Sequence, residues 1–343
     1  MFDFIFKCHT LACSFDKTPT TGTILYQLFI LVATVVILLV LSKYKKNILK
    51  HYFIMVIGAF VFEFFTAPMW LNMHLGNWAY IYHGVSWVLT MGLASMTLAS
   101  VVLVEVWFPK MREAYKYILS IIILWPIMVG VEKFVGFLGI RGYAPETIKA
   151  FDSTMIPGID MSWLAVLYLP LLLLLVVAFY KYFAFYLEKR PLVPMNKGKL
   201  VRNLVISFIG VLLFELLVGA MVDNVGFPSW SYIWRDITFI LSGGWVLVIL
   251  ISTWLVDKYF INKNLVERFV LYLAFATVII APIEAWLIHS GHRVYLASTV
   301  ANFSGFVVPG LNIPVEVIFA VPFYLALAVA FTRYWAIIFD NKL

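Results

Sequence analysis

The chain has 343 residues, 63% of them hydrophobic and 13% charged, with a mean hydropathy of +0.96. A soluble domain carries about a quarter charged residues, so this composition excludes an ordinary water-soluble protein and makes the bilayer the solvent. A net charge of +7 would point to nucleic acid in a soluble chain, but in a membrane protein basic residues gather in the loops on one side. No nucleic-acid partner is therefore expected.

In chain order, Cys8 and Cys13 come first and are the only cysteines. They precede the first apolar run, where they are either a disulfide or two free thiols, and with His9 they offer too few donors for a metal site. Apolar runs of about 20 residues, enough to cross about 30 Å of hydrocarbon, lie near 22–43, 51–73, 82–108 and 114–137. Five more follow near 161–187, 202–224, 234–260, 266–289 and 313–338. The expected fold class is therefore an all-α polytopic membrane protein of nine transmembrane helices. The first is too long for a signal-peptide core and lacks a cleavage site, so it is expected to be retained.

Lys and Arg concentrate in alternate connections. Examples are Lys43, Lys45, Lys46 and Lys50 in the first, Lys110, Arg112 and Lys116 in the third, and Lys258, Lys263 and Arg268 in the seventh. Under the positive-inside rule the N-terminus is outside and the C-terminus cytoplasmic.

Shifting the chain against itself by 152 positions without a gap superimposes Glu63 on Glu215 and Glu132 on Glu284. It also pairs Gly58 with Gly210, Met69 with Met221, Trp78 with Trp230, Tyr80 with Tyr232, Arg141 with Arg293, Tyr143 with Tyr295, and Ala178-Phe179 with Ala330-Phe331. One register held this far reads as an internal duplication. The expected organisation is an outer segment and first helix over 1–48, a four-helix unit over 49–190, a basic linker over 191–201 and a second unit over 202–343. An even number of helices per unit places both units the same way up.

The four duplicated glutamates lie inside apolar spans, where an ionisable group is costly and by default functional. From the basic ends of their helices Glu63 and Glu215 are about 18 Å deep and Glu132 and Glu284 about 24 Å, at 1.5 Å per residue. Symmetry leads to the expectation that they share one cavity. An acid held away from water can keep its proton and donate it to a carbon–carbon double bond, or serve proton-coupled transport. The bland alternative is a hydrogen bond that only joins helices. Trp78, Tyr80, Trp230 and Tyr232 follow the first acids at helix exits, either as an interfacial belt or as aromatic faces for a carbocation. Glu316 opens the last helix after Asn312-Ile313-Pro314-Val315 and is not duplicated. Glu105 and Asp257 are in register but are expected to be interfacial.

The stretch from Ile283-Glu284-Ala285-Trp286 through Gly291-His292-Arg293-Val294-Tyr295 to Asn312-Ile313-Pro314-Val315-Glu316 resembles the membrane-embedded lycopene cyclase domain and related membrane carotenoid and terpene cyclases. Gly76-Asn77-Trp78-Ala79-Tyr80 after Glu63 repeats its first part. Val317 stands where the second acid of the proline motif belongs, and Arg293 replaces its Trp. The resemblance implies cofactor-independent, acid-initiated cyclisation or isomerisation of a lipophilic isoprenoid. Glu63, Glu132, Glu215, Glu284 and Glu316 are the candidate acids, and Trp78, Tyr80, Tyr143, Trp230, Tyr232, Trp286 and Tyr295 the candidate substrate contacts. A transporter or channel using paired glutamates, and a non-catalytic subunit of a membrane complex, are the alternatives. No metal, phosphate-loop or dinucleotide fingerprint occurs.

Overall fold

A computed structural model of the chain describes residues 15–151, 155–157, 161–189 and 199–341. Cys8, His9, Cys13, Asp160, Lys342 and most of the basic linker lie outside the described residues. Nine helices among the described residues are long and apolar enough to span a bilayer. They are α1 (Thr21–Ser42), α2 (Ile48–Thr66), α3 (Trp87–Trp107), α4 (Glu113–Phe137), α5 (Trp163–Leu187), α6 (Leu200–Val218), α7 (Phe239–Tyr259), α8 (Leu265–His289) and α9 (Val315–Asn341). Their outer surfaces carry exposed apolar side chains such as Phe29, Leu247 and Val278, which fits lipid as the surrounding medium.

Local signals set the helix ends. Ser86 and Thr238 occupy the N-caps of α3 and α7 and accept the Leu89 and Leu241 N–H groups at 3.5 and 3.2 Å. Asn264 caps α8 by accepting from the Glu267 N–H at 2.9 Å. Pro170 and Pro322 sit inside α5 and α9, positions tolerated in membrane helices because neighbours resatisfy the backbone.

The bounds of α2, α3 and α4 recur 152 positions later as those of α6, α7 and α8, and α9 starts at the matching place to α5. The same helix neighbours also recur. α2 packs on α3 and α5, and α4 on α3 and α5; α6 packs on α7 and α9, and α8 on α7 and α9. Between the two sets α5 lies along α9, α9 touches α2 and α5 touches α6, while α1 covers α3 from outside. At the centre a Cβ on Gly58 would meet Phe179 Cδ1 at 2.9 Å, and one on Gly210 would meet Phe331 Cδ1 at 2.9 Å. The absent side chain is what lets α2 approach α5, and α6 approach α9.

Short antiparallel strand pairs close one end of the bundle. Trp70–Asn72 after α2 pairs with Arg141–Tyr143 after α4, and Val222–Asn224 pairs with Arg293–Tyr295 in the same register. Tyr80–Tyr82 folds back on Val85–Ser86, as Tyr232–Trp234 does on Ile237–Thr238. His83 and Arg235, at matching turn positions, both adopt positive φ, 45° and 49°.

Candidate functional site

The strand pairs build the site. Because Asn72 stands opposite Arg141 and Asn224 opposite Arg293, each arginine is aimed back under its strand toward the acid of the preceding helix. Arg141 Nη1 donates to Asn72 Oδ1 at 2.7 Å, and its Nε lies 3.0 Å from Glu132 Oε1. The Tyr143 hydroxyl donates to that Glu132 oxygen at 2.5 Å. In the other half Arg293 Nε donates to Asn224 Oδ1 at 3.2 Å, Arg293 Nη1 donates to Glu284 Oε1 at 3.3 Å, and the Tyr295 hydroxyl donates to Glu284 at 2.8 Å. Asn72 and Asn224 are held in turn by donating to the Gly84 and Asp236 carbonyls at 2.5 and 3.2 Å. Tyr80 and Tyr232 donate to the Asn72 and Asn224 carbonyls at 2.6 and 3.2 Å. Each guanidinium also faces a tryptophan, Trp70 at 5.4 Å and Trp245 at 6.0 Å from the ring centroid. The charge of the neighbouring glutamate raises the pKa of both arginines against the opposing effect of burial, so both stay cationic.

Glu63 and Glu215 are placed differently. Among the described residues the arginines make their ion pairs with Glu132 and Glu284 and not with these two acids. Glu63 Oε2 accepts from the Thr90 hydroxyl at 2.8 Å. At the register of Thr90 stands Ser242, fully buried, whose hydroxyl has no partner among the described residues.

The four acids do not share one cavity. Glu63, Glu132, Arg141 and Tyr143 line a cavity of about 480 Å³ walled on one side by α1 residues, among them Tyr26, Phe29 and Ile30. Glu215, Glu284, Arg293, Tyr295 and Glu316 line a second, of about 360 Å³, reaching Phe64 and Phe65 of α2. The single cavity expected from symmetry fails because α5 and α9 pack against each other and fill the space between the halves with Leu173, Val177, Leu325 and Val329, all at most 1% exposed. Both volumes fall within the range of small-molecule pockets.

Of the aromatic residues singled out in the sequence, Tyr143 and Tyr295 line the cavities, whereas Trp78, Trp230 and Trp286 are 55%, 74% and 59% exposed. Trp78 and Trp230 sit in the surface turns and Trp286 on the outer face of α8, away from both cavities. Tyr80 and Tyr232 brace the asparagines. Trp70, Trp245, Asn72, Asn224 and the cationic role of the arginines escaped the sequence reading. The Asn72–Asn224 pair keeps the same 152-residue register and was the available signal.

Glu105 and Asp257 are more than interfacial. Lys181 of α5 donates to Glu105, and Lys45 pairs with Glu105 at 2.7 Å; Arg333 of α9 pairs with Asp257 at 2.7 Å, joined by the Tyr272 hydroxyl at 2.6 Å. Lys181 and Arg333 are themselves in register, 3% exposed each, and tie α5 to α3 and α9 to α7 at the end opposite the strand pairs. Comparison with protein-family models, curated proteins and solved structures gives no match.

Proposed function

We propose that the chain is an integral-membrane enzyme that protonates and cyclises or isomerises a lipophilic isoprenoid in apolar cavities, without a cofactor. Its two units, 49–190 and 202–343, are related by an axis along the membrane normal, with the N-terminus outside and the C-terminus cytoplasmic. The recurrence of helix bounds and neighbours, the even helix number per unit and the basic connections at one end support this arrangement.

One observation carries the chemical reading: each cavity holds a duplicated pair of glutamates in unlike surroundings, one locked to an arginine and one that pairs with no cation among the described residues, and the second cavity adds the unduplicated Glu316. Two carboxyl groups held apart in this way divide naturally into acid and base. Glu63 or Glu215 gives its proton to a terminal carbon–carbon double bond. A neighbouring double bond attacks the resulting tertiary cation and closes a ring. The ring cation then loses a proton to the arginine-bound Glu132 or Glu284, so the product is an isomer of the substrate.

The test is expression in an isoprenoid-producing bacterium followed by mass spectrometry of its lipids. Wild type should yield a product isomeric with a host isoprenoid, and membranes containing the protein, given that unlabelled isoprenoid in D2O buffer, should form a product one mass unit heavier than the substrate. Glu63→Gln and Glu215→Gln should each remove the product of their own cavity. A lipid profile unchanged by the protein, or a product that survives the double variant, would rule the reading out.

A further inference from the structure

The two cavities share their arginine–glutamate–asparagine core but differ in what that core leaves unsatisfied. Four residues that line the second cavity each carry a buried polar atom with no hydrogen-bond partner among the described residues: Arg293 Nη2, Glu284 Oε2, Glu316 Oε2 and the Tyr324 hydroxyl. Glu284 Oε2 lies 3.3 Å from Arg293 Nη1 but accepts no aligned hydrogen bond from it. The other oxygen of Glu316 is taken by the Ser304 N–H at 2.6 Å. Glu284, Tyr324 and Arg293 are 1%, 3% and 7% exposed, so water outside the bundle does not serve them. An unmet buried polar group costs about 1–3 kcal/mol, and several on residues around one cavity point to a ligand that, with small side-chain adjustments, meets them. In the first cavity Leu172 occupies the register of Tyr324, and Leu164 is the sequence counterpart of Glu316.

We infer that the second cavity binds an isoprenoid alcohol, its hydroxyl seated among Arg293, Glu284, Glu316 and Tyr324 and its chain running out past Phe64 and Phe319. The unmet set contains both donors and acceptors. A hydroxyl accepts from Arg293 Nη2 or Tyr324 and donates to a glutamate oxygen, whereas a ketone or aldehyde only accepts and leaves the carboxylates unmet. A carboxylate ligand would face Glu284 and Glu316, and an ammonium would face Arg293, so a neutral group fits best. The apolar lining holds the rest of the molecule, and Phe306 and Phe319, 55% and 60% exposed, form a rim open to the surroundings.

This inference rests on the reading of the cavities as lipophile sites, and one experiment separates the two. Purified full-length protein in lipid nanodiscs is titrated with a tritiated twenty-carbon isoprenoid alcohol and with the same chain lacking the hydroxyl. The alcohol should bind about tenfold more tightly, the equivalent of one net buried hydrogen bond. Tyr324→Phe removes an oxygen that holds no hydrogen bond among the described residues, so its unfolding midpoint should match wild type. The variant should lose most of the alcohol preference and keep its affinity for the hydrocarbon. Equal binding of both ligands by wild type overturns the alcohol assignment and leaves the lipophile reading standing. Binding of neither overturns both. A preference that survives both Tyr324→Phe and Glu316→Gln, or tighter binding of the matching carboxylic acid, overturns the placement or the ligand class.

Discussion

The two halves of the bundle present the same charged core inside different walls. Glutamate, arginine, asparagine and tyrosine keep their register, fixed by one strand pair in each half. The tryptophan under each arginine comes from unrelated places, Trp70 in a strand and Trp245 inside α7, whose counterparts are Val222 and Leu93. α1 walls the first cavity, while α2 and the loop around Phe303 wall the second. Electrostatics tolerates no drift, because a buried charge that loses its partner is costly. Apolar walls need only similar volume and are free to specialise.

The core gives the sharpest test of that contrast. Arg293→Ala strands Glu284, whose side chain is 2% exposed, whereas Arg141→Ala strands Glu132 at 12% exposure. Removing one partner of a buried pair costs about 3–5 kcal/mol, so Arg293→Ala should reach that range while Arg141→Ala stays nearer about 2 kcal/mol, since water reaches Glu132 more easily. Unfolding of nanodisc-embedded protein measures both. Equal losses would mean that the halves do not differ in how dry their cores are.

The helix crossings should behave alike. Gly58→Ala and Gly210→Ala each push a methyl group to 2.9 Å from a phenylalanine edge, and overpacking of this kind costs about 1–3 kcal/mol. The two losses should agree within about 0.5 kcal/mol and add in the double variant, as separate sites do. A large loss from one alone would break the equivalence of the α2–α5 and α6–α9 crossings. In that case Phe179 or Phe331 has room to turn away.

Much of this equivalence was legible in the chain. Span length and apolarity gave the nine helices, and the gapless register gave both glycines together with the phenylalanines they meet. The division of the acids between two cavities was not legible, since it depends on α5 packing along α9, which no periodicity encodes. Arg141 and Arg293 were seen as duplicated, but their role needs the strand pairing that turns them back toward the helix ends. Three-residue strands are too short to carry an alternation signal. The Trp70–Trp245 exchange had no signal at all, because the two residues share no register.

The smallest expected effect belongs to a position where the halves differ within a shared turn. The carbonyl of residue 84 and that of residue 236 each hold an asparagine, but the first is a glycine and the second is Asp236. Burial is the main cause that lifts the Asp236 carboxyl from its ordinary 3.8 to about 6. The fold therefore favours the protonated form. Stability contributed by that proton is fully present below about pH 4 and is lost as pH rises from there through about 6, leaving a penalty at neutral pH. The shift corresponds to about 3 kcal/mol, and partial exposure reduces it to about 1–2 kcal/mol. Asp236→Asn should thus match wild type near pH 4 and become more stable than it by that amount above about pH 6, as read from unfolding midpoints across the range. A difference that does not change with pH would show that the carboxylate is solvated where it stands. The second half would then carry no proton-dependent cost that the glycine of the first half avoids.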